Sequence, residues 1–341
     1  MSKQTLNIPF SILDLATVVQ GSTPEHTFRN SLTLAQQAEQ NGYRRYWLAE
    51  HHNMVSIASS ATAVLIGYIA GGTQHIHVGS GGIMLPNHSP LVIAEQFGTL
   101  ASLYPSRIDL GLGRAPGTDQ LTAMVLRRST NLGAEDFLQQ LAELKTYFSV
   151  ENSNGKVRAI PGEGIDVPMW ILGSSTDSAH LAGYLGMPYS FAGHFAPQQM
   201  QSAFNIYRQQ FQPSKTLQQP YTMACTNVIM ADSDEEAQYI ATSAYQAFLG
   251  IVRNKRELLP PPVKNINALW NDYEALQIKE RLSCSFIGSA ATVHPVLQRF
   301  IALTGINELM AAAHIFDINA KLHSYKLLAE VMREGVRIRD K

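Results

Sequence analysis

Tyr46-Trp47-Leu48-Ala49-Glu50-His51-His52 is a short apolar run that ends in three titratable side chains. It reads as an inward-packed strand handing its polar end to a loop, and a parallel barrel gathers its catalytic groups at the carboxyl ends of its strands. Outward from this stretch the same unit recurs. Short apolar, β-branched or aromatic runs at residues 9–14, 44–49, 77–85, 108–113, 169–173, 188–192, 225–230 and 308–313 make eight strand candidates. Between them, amphipathic stretches at 24–39, 90–103, 134–148, 178–185, 197–211 and 234–248 are long enough to cross back over a parallel sheet. Ser22 with Pro24 and Glu25 marks a helix start, Asn41-Gly42 its end, and Asp232 or Ser233 a later start. The pattern predicts an α/β fold, a closed (β/α)8 TIM barrel forming a single domain over 1–341. The alternation breaks at about 250–283, where Leu259-Pro260-Pro261-Pro262 and Ala268-Leu269-Trp270 fit no simple crossover helix. We read a folded insertion there, between strands seven and eight, near one mouth of the barrel.

Composition narrows the classes. The chain has 341 residues, is 45% hydrophobic, and sets 26 Lys and Arg against 27 Asp and Glu. Disorder is excluded as the dominant state, and no sign asymmetry attracts nucleic acid or an anionic membrane, so the expected partner is a small molecule. The first residues lack a signal pattern and no apolar run reaches membrane-helix length, which predicts a cytoplasmic protein. Cys225 and Cys284 are expected to be reduced thiols.

Four motifs carry possible chemistry. Glu50-His51-His52 puts imidazoles beside a carboxylate after a buried strand, the setting that tunes a histidine near neutral pH; the alternative reading has one ring capping a helix or filling a gap while the other faces solvent. Their spacing is not that of a metal-binding HExxH motif, and His75 and His77 fall at the start of strand three, on the opposite face, so no metal is expected. In Val78-Gly79-Ser80-Gly81-Gly82-Ile83-Met84-Leu85-Pro86, interior glycines weaken a strand, so either a bulge or a flat ligand against the backbone explains them. Leu110-Gly111-Leu112-Gly113-Arg114-Ala115-Pro116-Gly117 offers Arg114, whose planar fork suits a phosphate or else pairs with Asp119. Gly173-Ser174-Ser175-Thr176-Asp177-Ser178 leads into a helix, where hydroxyls and backbone N–H groups either cap the helix or hold an anion. Taken together, Arg114 and these serines favour a monophosphate between loops four and five. Tyr189-Ser190-Phe191 and residues 259–270 suggest an apolar cover.

In this order, these motifs, with Ile171-Leu172-Gly173-Ser174-Ser175 and Ser285-Phe286-Ile287-Gly288-Ser289, resemble the bacterial luciferase-like flavin monooxygenase family, in its single-chain, non-luminescent branch. The likeness spans nearly the whole chain. It implies a (β/α)8 barrel that takes FMN at its carboxyl face, as reduced FMN supplied by a separate flavin reductase. With oxygen and a small organic substrate, the chemistry would pass through a C4a-peroxyflavin. Gly81-Gly82 matches the family pair that contacts the flavin ring through a non-proline cis peptide. Arg114, Gly173, Ser174 and Ser175 match its cofactor contacts, and His51 matches its proton-handling histidine, with Glu50 and His52 as neighbours. A homodimer is also implied. A deazaflavin-dependent reductase and a flavin carrier without turnover are the rival readings. Gly113 and Gly173 replace larger residues of luciferase, which predicts a roomier pocket, and a second phosphate arginine is left open between Arg127 and Arg128.

Overall fold

The computed structural model describes residues 6–127 and 134–334. Nine parallel strands run in chain order: β1 (Phe10–Asp14), β2 (Arg45–Leu48), β3 (His77–Met84), β4 (Ile108–Gly113), β5 (Met169–Gly173), β6 (Tyr189–Ala192), β7 (Thr222–Met230), β8 (Ser285–Gly288) and β9 (Glu308–Ala312). Around them lie α1 (Pro24–Gln40), α2 (Thr62–Gly71), α3 (Pro90–Leu103), α4 (Gln120–Arg127), α5 (Ala134–Phe148), α6 (Thr176–Tyr184), α7 (Met200–Gln210), α8 (Asp234–Val252), α9 (Asp272–Arg281), α10 (Ala290–Thr304) and α11 (Ile318–Glu334). Strands β1 to β7 pair in sequence and β9 closes the cylinder between β7 and β1, so the eight predicted strands form the barrel.

The sequence reading missed β8. Its four residues pair with Asn227–Met230, beyond the Thr222–Cys225 stretch that β6 occupies, and so extend one wall at the mouth. A smaller revision concerns α1. Pro24 takes the first helical position, so Thr23, not Ser22, is the N-cap and accepts from the His26 amide at 3.3 Å.

The barrel interior is layered. At the amino-terminal end Arg45 lies between Asp109 (2.6 Å) and Glu308 (3.1 Å), while Ser11, Trp47 and Tyr221 donate to the same carboxylates. Ser11, Arg45, Asp109 and Glu308 come from four strands and are buried, Tyr221 is partly buried, and His77 Nδ1 stands 3.7 Å from Asp109. Above them Leu13, Trp47, Trp170, Met223, Cys225 and Met310 fill the centre, with the two indoles edge to face. The larger apolar cluster lies between strands and helices. Tyr189 and Phe191 belong there, packed against Phe204 of α7, so this aromatic pair does not cover the mouth as the sequence suggested. Alternation along β6 turns Tyr189 and Phe191 outward and leaves Ser190 on the other face.

Residues after β1, β2 and α8 knit the carboxyl-terminal mouth together. Leu259 bridges Val19, its N–H donating to Val18 and its carbonyl accepting from Gln20, and Thr17 bridges Ile57. The 250–283 excursion is thus tied across the mouth by backbone hydrogen bonds, and Arg253 anchors α9 through Glu274. Both cysteines are free and buried. Among the described residues, no helix is long and apolar enough to cross a membrane.

Candidate active site

Leu48 ends β2, and the next residues leave the barrel wall. The Glu50 side chain does not enter the central chamber. It is 1% exposed and accepts hydrogen bonds from His52 Nε2, His88 Nε2, the Met84 amide and Asn87 Nδ2. Burial pushes its carboxyl up, but the bonds from His52 and His88, the charge of His88 and the Met84 amide outweigh this and hold it down at about 2. Glu50 therefore ties the end of β2 to the end of β3.

His51 points the other way and lines a cavity of about 520 Å³ beneath the excursion. Its Nδ1 lies 2.9 Å from the Gly117 carbonyl, which only accepts, so Nδ1 carries the proton and neutral His51 keeps the Nε2 lone pair free. Burial lowers its pKa below the ordinary histidine value, opposed by the Gly117 carbonyl and Glu50 and assisted by Arg256. At neutral pH it is a neutral acceptor at Nε2.

Two further histidines line this cavity, and the sequence reading did not single them out. His194 follows β6 by two residues and His314 follows β9 by two, so the strand-end argument that selected His51 applies equally to them. Burial depresses His194 to about 3 and His314 to about 4, and each also feels the charge of His51. Their Nδ1 atoms are buried without a partner. Asn227 holds the His194 carbonyl at 2.6 Å and Phe248 stands edge-on to His314. Leu15, Met54, Ile57, Phe195, Phe248 and Leu259 make much of the remaining wall. Among the described residues, no three of His, Cys, Asp or Glu are arranged to hold a metal ion.

The other predicted residues gather on the β3 to β5 side. The Gly81–Gly82 peptide is cis, and the β3–β4 register slips there: Ser80 faces Leu110 but Ile83 faces Leu112. Packing already calls for glycine at both positions, since a Cβ on Gly81 would stand 2.5 Å from Leu13 Cδ1 and one on Gly82 2.7 Å from the Gly111 carbonyl oxygen. Arg114 pairs with Asp177 at 3.1 Å, whereas Asp119 caps α4 through the Thr122 amide. This contact brings the β4 end to the first turn of α6. Ser175 occupies the N-cap of α6 in extended conformation, yet its side chain makes no capping bond. Its hydroxyl and that of Ser174 flank a helix start with free capacity for an anion. At α10 the opposite holds, because both Asp234 carboxylate oxygens already cap the helix, at Ser289 N and Thr292 Oγ1.

The space expected above Gly113 and Gly173 is filled. Met84 Sδ lies 2.5 Å from where a Gly113 Cβ would stand, and the Ser178 side chain occupies the corresponding place at Gly173. These glycines admit protein neighbours, so the pocket is not roomier there as the sequence suggested. Arg128 lies outside the described residues, and Arg127 ends α4.

Residues 8–281 match the family model for luciferase-like monooxygenases. A luciferase-like monooxygenase of Escherichia coli (strain K12) is 50% identical over 327 residues, 96% of this chain and 98% of that protein. The crystal structure of apo-MsnO8 superposes with a TM-score of 0.85 at 33% identity, over 95% of this chain and 98% of that one. Two remoter structures, both 15% identical, share the fold alone. One is the oxygenating constituent of 3,6-diketocamphane monooxygenase from Pseudomonas putida in complex with FMN (TM-score 0.73, 98% and 99% covered). The other is an F420-dependent secondary alcohol dehydrogenase (TM-score 0.71, 96% and 99% covered). By the match along its length and the close full-length relatives, this chain belongs to the luciferase-like monooxygenase family.

Proposed function

We propose that this chain is an FMN-dependent monooxygenase that takes reduced FMN from a separate flavin reductase and oxygenates a small organic substrate in the chamber under the excursion. The observation that carries this reading is His51: a neutral imidazole with its proton fixed on Nδ1, set in the wall of an apolar, covered chamber at the carboxyl end of the barrel. A few placed polar groups in such a chamber are the usual form of a small-molecule site.

The residues fit a flavin mononucleotide. An α6 start whose N-cap Ser175 makes no side-chain capping bond and whose Thr176 amide is held only by Gln199 at 3.3 Å, the Ser174 and Ser175 hydroxyls and the Arg114 fork suit a phosphate monoester, with Gly173 allowing the close turn. The flat ring would lie against the peptide of the partly exposed Gly81, whose own Cβ direction is filled by Leu13 and Trp47. Bound reduced FMN would supply the electrons for activating oxygen. The protein does the rest. The bridged excursion narrows the access of bulk water to the chamber, His51 Nε2 accepts and returns the proton that moves during oxygen transfer, and Glu50 positions the loop carrying His51. The exposed apolar side chains of α2 and α3 support a homodimer.

His51→Ala should retain FMN, read by flavin fluorescence, and lose about 10²–10⁴-fold in transfer of isotope-labelled oxygen to product when reduced FMN is supplied. Transfer at the parent rate sinks the role of His51. Tight FMN binding with no product from any substrate would mark a flavin carrier. Tighter binding of a deazaflavin than of FMN would replace the cofactor and make the chain a reductase.

A further inference from the structure

Acidic and basic residues are nearly equal over the chain, 27 against 26, but not around the chamber. Its charged lining residues, apart from histidine, are Arg253, Lys255, Arg256, Arg281 and the lone carboxylate Glu257. Arg253 is committed, since its guanidinium grips Glu274 at 2.7 and 2.9 Å and donates to the Leu269 carbonyl. Lys255, Arg256 and Arg281 have no hydrogen-bonding or ionic partner for their side chains among the described residues, and all three are exposed at the lip. The rest of the wall is mostly apolar, interrupted by Thr17, Gln20, Ser56 and Gln246, and Arg256 stands close enough to His51 for its charge to be felt there.

This arrangement is more selective than a patch of surface cations. A deep apolar wall with uncompensated positive charge at its rim favours a molecule with an apolar body and an anionic end over a neutral or cationic one of the same shape. The phosphate of a flavin does not account for these cations, because Arg114, Ser174 and Ser175 supply a separate anion cradle and none of them lines the chamber.

We propose that the substrate is an organic anion, an apolar chain or ring bearing one carboxylate or equivalent acid, held at that end by Arg256 with Lys255 and Arg281 while its body lies against the apolar wall toward His51. The inference rests on the chamber being the substrate site of the monooxygenase reading above. It adds the chemical class of that substrate and the residues that select it.

The test is calorimetric titration of the full-length protein, with and without FMN, using hexanoate, octanoate and decanoate against the matched primary amides. The carboxylates should bind about tenfold more tightly than the amides, a margin that shrinks with added salt. Arg256→Gln, and more fully the triple Lys255→Gln/Arg256→Gln/Arg281→Gln variant, should abolish that margin while leaving amide binding unchanged. Equal binding of acid and amide overturns the proposal, as does a margin that survives in the triple variant. FMN affinity, followed separately by fluorescence quenching, keeps the two readings apart. Carboxylate preference without FMN binding removes the flavin reading and leaves the anion site standing. Loss of FMN affinity in Arg256→Gln assigns the lip to the cofactor phosphate and overturns the proposal.

Discussion

Glu50 and His51 are neighbours in sequence with opposite duties, and burial separates them. The carboxylate is closed off by donors from His52, His88, Asn87 and the Met84 amide, while the imidazole meets the chamber. Because the folded-state pKa of Glu50, about 2, lies below the ordinary 4.5, the charged network stabilises the fold fully above pH 4.5 and loses that contribution as pH falls toward 2. Glu50→Gln should therefore cost about 3 kcal/mol at neutral pH, and the gap between variant and parent in urea midpoint should close as the solution is acidified through this window. A gap that stays constant with pH would show that Glu50 acts through packing and not through its charge. His194 and His314 lie two residues past their strands, and a sequence shows only that they follow strands, not that three strand ends converge.

The eight barrel strands were legible because they are short, largely apolar runs between turn signals and most of their residues are buried, as in β1, β2, β4, β7 and β9 throughout. Strand β8 was not, since its four residues alternate in burial and form a strand only because β7 outruns β6. The glycines of β3 and β4 show the same limit. Sequence marks them as unusual, whereas the cause at each depends on which neighbour approaches. A Cβ on Gly82 would meet a backbone carbonyl oxygen at 2.7 Å, but one on Gly113 would meet the movable end of Met84. Gly82→Ala should thus destabilise by about 1–3 kcal/mol and Gly113→Ala by less, measured by chemical denaturation of the FMN-free protein. Equal losses at the two positions would mean that Met84 is as fixed as the barrel backbone. The proposed phosphate cradle rests on residue types that the sequence displays at Arg114, Ser174 and Ser175, while the Asp177 contact that joins their loops depends on the fold.

At the scale of the whole molecule, α2 is apolar around its circumference. Leu65, Ile66, Ile69 and Ala70 pack inward, which leaves Val64, 71% exposed, and Tyr68, one turn on, on the outer face. Neighbouring α3 adds Val92 and Leu103. A helix apolar on every side is normally covered on every side, and a patch drawn from two adjacent helices can be covered by its own copy about a two-fold axis. The proposed homodimer would bury this face, on a part of the barrel wall that does not line the chamber. Sedimentation velocity should then show a dimer for the parent chain and a monomer for Val64→Lys/Tyr68→Lys, with FMN affinity retained in both because the proposed cradle at Arg114 and Ser174 lies just past the ends of β4 and β5. A parent chain that sediments as a monomer at high concentration removes the dimer proposal, and a variant that remains dimeric moves the interface to another face.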